Sequence, residues 1–207
     1  MVHYKLHYFW FNGLGEPIRQ LFAMAKVDYE DHRVHKDIDW PELKKICPFG
    51  QVPVLEVDGK ILPQSRAVTR YLARKFGFAG QTEWEQAQVD AWADQLLDFM
   101  FEVRPFLFKK IGFTQGDADA EFAKVAGPAR DKLFPLIVKQ LKENGTGYLV
   151  GNKVSWADLY LNYHAETFRN LKSDYLANYP EIEAHLNKVR EIPELKEWIE
   201  KRPKNHF

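Results

Sequence analysis

A single cysteine, Cys47, stands in the 207 residues of this chain. One thiol cannot close an internal disulfide, so stability has to come from packing, and the usage suits a reducing, cytoplasmic setting. No apolar run reaches the roughly 20 residues that a membrane-spanning helix needs. The opening residues alternate rather than forming the apolar core of a secretory leader. Neither sign of charge prevails, with 29 Lys and Arg against 29 Asp and Glu. That balance supplies no electrostatic footprint for nucleic acid or for an anionic membrane, and neither partner is expected. Internal repeats and low-complexity tracts are also missing. Cys47 lacks any motif that would make it a nucleophile and is expected to be a packed thiol.

What is present is apolar and aromatic. Hydrophobic residues make up 45% of the chain, with six tryptophans and fifteen phenylalanines. Most of these belong in a core, and the surplus suits a cleft that accepts apolar ligands. Residues 2–9 alternate as a strand. Glu16-Pro17 opens a helix with an apolar stripe of Ile18, Leu21, Phe22 and Ala25. A second strand is expected over 28–35, and a short helix after Asp39 as its cap. Beyond Phe76-Gly77-Phe78-Ala79-Gly80 every periodic segment is helical: 83–110, then 117–143 with a kink at Gly127-Pro128. A loop over 144–154 precedes a helix at Ser155, and two shorter helices follow at about 180–190 and 193–201. Ser155-Trp156-Ala157-Asp158 is a capping box with Asp at the usual Glu position, and Asp158 is expected to be structural. The chain therefore divides into an α/β domain, 1–80, and an all-helical domain, 81–207.

The densest stretch runs from Cys47 to Ala67. Val52-Pro53 opens a short strand and is a candidate for the cis form. Asp58-Gly59 is a hairpin turn between strands 53–57 and 60–63. Gln64-Ser65 then starts the helix 65–76, with Ser65 as N-cap. The free N–H groups at that helix start suit a carboxylate. Trp40 and Lys44, at i and i+4, share one face of the short helix before it.

This order resembles the cytosolic glutathione S-transferases, and the resemblance covers nearly the whole chain. Tyr4-Lys5-Leu6-His7-Tyr8-Phe9 is similar to their first strand and catalytic tyrosine. Phe49-Gly50-Gln51-Val52-Pro53 is similar to their cis-proline loop, and Gln64-Ser65 to their γ-glutamyl site. Tyr29-Glu30-Asp31-His32-Arg33 and the closing Pro193…Trp198-Ile199…Arg202-Pro203 look like the sigma class, which includes nematode enzymes and haematopoietic prostaglandin D synthases. The resemblance implies a thioredoxin-like βαβαββα domain followed by an all-α domain. It implies a homodimer that conjugates reduced glutathione, a co-substrate, to apolar electrophiles in detoxification, with no tightly bound cofactor and no metal.

Residue by residue, the resemblance makes Tyr8 the group that stabilises the glutathione thiolate. A free thiol has a pKa of about 8.5, and a phenol hydrogen-bonded to the sulfur favours the thiolate. Trp40 and Lys44 would hold the glycyl carboxylate, and Val52 with Pro53 the cysteinyl backbone. Gln64 and Ser65 would hold the γ-glutamyl carboxylate, with Gly50 and Gln51 completing the site. Asp98, on the stripe Asp90, Asp94, Asp98, would reach the γ-glutamyl ammonium of the other subunit. Phe9, Phe11 and Arg104 lead the candidates for the electrophile side, ahead of Phe99, Pro105, Phe106 and Phe207.

Two departures bear on activity. Relatives carry an arginine where this chain has Leu14, so full thiolate activation requires a substitute donor. Pro105 stands where the prostaglandin-converting relatives have a tryptophan, which counts against a dedicated prostaglandin-type isomerase. The rival readings are a ligandin-like carrier of haem or other flat apolar molecules, and a crystallin-like structural protein. Intact Tyr8, Trp40, Lys44, Gln64 and Ser65 argue against the last.

Overall fold

The computed structural model describes residues 2–204. Their elements run β1 (Tyr4–Phe9), α1 (Glu16–Ala25), β2 (Glu30–Val34), α2 (Trp40–Ile46), β3 (Val54–Val57), β4 (Lys60–Pro63) and α3 (Ser65–Phe76). This is the expected βαβαββα order. The four strands form one mixed sheet in the order β2-β1-β3-β4. β1 is parallel to β2 and antiparallel to β3. Asp58 and Gly59 both take positive φ, 48° and 80°, which matches the twist that a two-residue hairpin needs. Tyr4, Leu6 and Tyr8 alternate onto one sheet face, and Tyr4 packs its ring on Phe22 of α1 at 5.3 Å.

Register decides what meets at one edge of this sheet. Pairing of His7 with Val54, and of Val54 with Pro63, brings the end of β1, the start of β3 and the end of β4 to the same edge. Phe9 pairs with Val34, so β2 also ends there before leading to α2. Tyr8, Pro53, Gln64 and the approach to Trp40 are thereby gathered from four separate stretches of sequence.

After this come α4 (Glu83–Lys110), α5 (Ala118–Glu121), α6 (Gly127–Asn144), α7 (Trp156–Leu171), α8 (Pro180–Arg190) and α9 (Pro193–Lys201). The kink expected at Gly127-Pro128 takes the form of one wide π turn, Phe122–Ala126, between α5 and α6. Within the second unit α7 is buried on every side from Trp156 to Phe168, the pattern of a central helix. Its polar members find internal partners. Asn162 donates to the Leu186 carbonyl at 3.0 Å, and His164 Nε2 meets the Tyr175 hydroxyl at 2.9 Å. Asp158 accepts from the Ser155 N–H (2.8 Å), the Ser155 hydroxyl (2.7 Å), the Leu149 N–H (2.8 Å) and His185 Nε2 (3.0 Å).

Two expectations need correction, for Ser65 and Asp39. Beside the helical domain expected at 81–207, the packing groups residues 192–204 with 2–79 in one compact unit and 80–191 in the other. The reason is specific bonding of α9 to α1. Trp198 and Arg202 both donate to the buried Glu16 carboxylate, and Lys26 pairs with Glu194 at 2.9 Å. Ser65 is the first residue of α3 rather than its cap. Gln64 occupies the cap position at φ 74°, and the Thr69 hydroxyl donates to the Ser65 carbonyl instead. Asp39 does precede α2, but its carboxylate turns back to accept the His35 N–H at 2.7 Å and caps no helix N–H.

Candidate active site

Tyr8 is the last buried residue of β1. Its hydroxyl accepts a hydrogen bond of 3.0 Å from the backbone N–H of Leu14, within the tight turn Gly13–Gly15. The residue that meets the Tyr8 hydroxyl here is Leu14, and it does so with its main chain rather than its side chain. Burial pushes the Tyr8 phenol up to about 12, against the smaller opposing effects of the Leu14 N–H and of Arg19. The group is therefore protonated throughout the physiological range, a state in which it can donate a hydrogen bond and does not act as a base. Leu14 polarises that donor from behind, and successive hydrogen bonds reinforce one another.

The turn approaches Tyr8 too closely for any side chain on its flanks. A Cβ on Gly15 would fall 2.5 Å from Tyr8 Cδ1, and one on Gly13 would fall 2.3 Å from the hydroxyl oxygen. Glycine at these two positions is what lets the Leu14 N–H reach the phenol.

Arg19 is the principal residue that the sequence did not reveal. It is fully buried, with its guanidinium carbon 5.7 Å from the Tyr8 ring centre. Its Nε donates to Asp31 at 3.0 Å, and its Nη atoms donate to the carbonyls of Phe9 (3.2 Å) and Phe11 (3.1 Å). Asp31 also pairs with Arg33 at 2.9 Å, and Arg33 donates to the Trp10 carbonyl at 2.7 Å. The Glu16 N–H takes the Asn12 carbonyl at 2.9 Å. Every carbonyl from Phe9 to Asn12 is thus held, which fixes the exit of β1. Arg19 carries no sequence signal because its partners come from two other elements.

The remaining candidates of the first unit surround this edge. Trp40 is half-buried, meets Phe9 edge-to-face at 5.6 Å, and packs with Val52 over Val34, Leu43, Cys47 and Val54. Phe9 and Phe11 stack at 5.6 Å. Lys44 is exposed, and its aliphatic stem passes over Gly50, which takes φ 58°. Val52-Pro53 is cis. Gln51 and Gln64 are exposed, while Ser65 is buried at the start of α3. Cys47 is buried, burial pushes its thiol up, and it serves packing.

In the second unit, Asp98 lies exposed on α4. Arg104 places its guanidinium over Phe101 (5.3 Å) and Phe108 (5.5 Å) of its own helix. Phe99 and Phe106 are buried core, against Phe134 and Phe168 respectively, and are withdrawn as electrophile contacts. Pro105 is exposed within α4. Phe207 lies outside the described residues.

Comparison with known proteins covers both parts of the chain. Residues 4–74 match the family model for the glutathione S-transferase N-terminal domain, and residues 98–202 match that for the C-terminal domain. Glutathione S-transferase 1 of Ascaris suum is 46% identical over 207 residues, covering all of both chains. The structure of a Nu-class enzyme of the same family from Haemonchus contortus superposes with a TM-score of 0.92 at 52% identity, again over the whole of both chains. A monomeric family member from Necator americanus, Na-GST-3, gives a TM-score of 0.96 at 49% identity, covering 99% of this chain and 100% of that one.

Proposed function

Because this chain belongs to the glutathione S-transferase family, we propose that it binds reduced glutathione at the β1–β3–β4 edge and uses the Tyr8 hydroxyl to hold its sulfur as thiolate. The observation that carries this reading is the Leu14 N–H on the Tyr8 oxygen at 3.0 Å. It leaves the phenolic proton free to point at a bound sulfur. The thiol proton leaves to solvent, and Tyr8 keeps its own while donating to the sulfur anion. The sulfur then forms a bond to an electrophilic carbon, and the leaving group departs with its electron pair, or an added alkene takes a proton from water.

Around the sulfur, Val52 ahead of Pro53 offers backbone groups to the cysteinyl unit, as an edge strand does. Gln64, Ser65 and the N–H groups opening the 12-residue α3 hold the γ-glutamyl carboxylate. Trp40 and Lys44 take the glycyl carboxylate, with Gly50 and Gln51 beside them. Phe9 and Phe11 face the apolar electrophile, and Arg104 of α4 stays a candidate by family resemblance alone. In this reading the enzyme is a cytoplasmic homodimer of the sigma type, with Asp98 extended to the partner's glutathione, and it needs no metal. One relative is monomeric, so the assembly of this chain is tested by sedimentation.

The decisive experiment is the pH titration of thiolate absorbance for bound glutathione, wild type against Tyr8→Phe. A bound-thiol pKa well below about 8.5 that returns toward it in the variant supports the mechanism. Tight glutathione binding with an ordinary thiol pKa overturns it. In that case the carrier of haem or other apolar ligands takes its place, a reading favoured by the exposed Trp10 and Phe49.

A further inference from the structure

Glu16 is a fully buried carboxylate two residues beyond the N–H that bonds Tyr8. Its Oε1 accepts from Trp198 Nε1 at 2.8 Å, from Arg202 Nη1 at 2.6 Å and from Gln20 Nε2 at 3.2 Å. Two of these three donors come from α9 and the residue just after it, more than 180 positions away. The main chain of Glu16 is engaged as well, with its N–H on the Asn12 carbonyl at 2.9 Å. The turn Gly13–Gly15 is therefore closed at its far end by a residue whose side chain is anchored to the C-terminal segment.

We propose that Glu16 is a positioning residue and that Trp198 and Arg202, through it, set the aim of the Leu14 N–H at the Tyr8 hydroxyl. The inference rests on the thiolate-stabilising role given to Tyr8 above. Physically, the Leu14 donor belongs to a one-turn segment containing two glycines, which has little rigidity of its own. Its near end is fixed by Arg19 on the Phe9 and Phe11 carbonyls, and its far end by Glu16. A carboxylate drawn to Trp198 of α9 and to Arg202 just beyond it restrains the first turn of α1, and with it the direction of the N–H groups just before. Loss of that restraint lets the donor swing, and a hydrogen bond weakens steeply once misaligned. Tyr8 itself would stay in place, packed against Phe9 and Phe11, but as a less polarised donor.

The test uses the full-length protein with Trp198→Phe, which keeps the ring and removes one N–H, and Arg202→Met, which keeps the stem and removes the charge. Two readouts are needed besides thermal stability. The first is the Leu14 amide-proton resonance in the glutathione-free protein, whose downfield position relative to Tyr8→Phe reports the hydrogen bond to the phenol. The second is the pH profile of kcat/KM. The expected result is a Leu14 resonance moved toward its position in Tyr8→Phe and a roughly three- to tenfold loss of kcat/KM near neutrality, narrowing at alkaline pH where the thiol ionises unaided. In a Tyr8→Phe background neither substitution should move the pH profile further. Variants that melt earlier but keep the wild-type Leu14 resonance and an unshifted profile overturn the proposal, leaving α9 a purely structural anchor. Should wild type show no depressed bound-thiol pKa, the transferase mechanism itself falls and this role falls with it. A Leu14 resonance that still responds to Trp198→Phe would then show that the mechanical link exists without the chemistry.

Discussion

The backbone N–H of Leu14 and the phenolic oxygen of Tyr8 stand 3.0 Å apart, with the N–H donating. Since the donor is main chain, the Leu14 side chain is dispensable to it. Leu14→Ala should leave the pKa of bound glutathione within a few tenths of the wild-type value. Tyr8→Phe should cost roughly 10- to 100-fold in kcat/KM near neutrality, the worth of one hydrogen bond to a charged group. Steady-state kinetics on both variants check this, and a large loss in Leu14→Ala would contradict it.

Gly15 has φ −79°, open to any residue, yet its missing side chain is where the Tyr8 ring lies. Gly15→Ala is therefore a test of space alone. The added methyl must push Tyr8 or the turn aside, at about 1–3 kcal/mol of stability and more than tenfold in kcat/KM. Urea melts paired with kinetics separate the two effects. Ala tolerated with full activity would refute the close approach.

His164 is fully buried between Met100 and Tyr175, and burial lowers its pKa from 6.5 to about 3. The folded chain thus holds it neutral while the unfolded chain protonates it below about pH 6.5. This contribution to stability is complete above that pH and is lost as pH falls toward about 3, by on the order of 1.4 kcal/mol per unit. His164→Gln should flatten the fall in unfolding free energy between about pH 6 and pH 4 relative to wild type. It should also cost about 1–3 kcal/mol at neutral pH through the Tyr175 hydroxyl left without its partner. An unchanged slope would mean that His164 is protonated in place.

Asp158 collects four donors inside the second unit. Simple loss of a helix cap costs about 0.5–2 kcal/mol. Asp158→Ala should exceed that, because His185 and the Leu149 N–H would be left buried without an acceptor. Denaturant unfolding of Asp158→Ala beside Ser155→Ala measures the difference, and equal losses would reduce Asp158 to an ordinary cap.

Much of this architecture could be read in the sequence where the signal is local. Asp58-Gly59 had to turn, Val52-Pro53 opened a strand, and Ser155 with Asp158 announced a helix. Tyr8 came from resemblance, and its surroundings did not. Arg19 and Glu16 interrupt the apolar stripe of α1 and look like solvent-facing charges. They are buried because Asp31, Trp198 and Arg202 arrive from distant segments, information that no window of sequence contains. Asp39 misled for a related reason: a cap residue and a turn residue look alike until the neighbouring N–H is known. The membership of α9 was hidden by its amphipathic pattern, which suits either unit equally.

The return of α9 to the first unit has a consequence for synthesis. A ribosome releases β1 to α3 long before residues 193–202 emerge. Until they do, Glu16 is a carboxylate without its indole and guanidinium partners, and the first unit cannot close around it. The part of the chain made first is thus completed last, by residues made near the end. A product cut short before Trp198 would bury the Glu16 carboxylate without its indole and guanidinium donors, and its first unit would be destabilised although every strand of its sheet had been made.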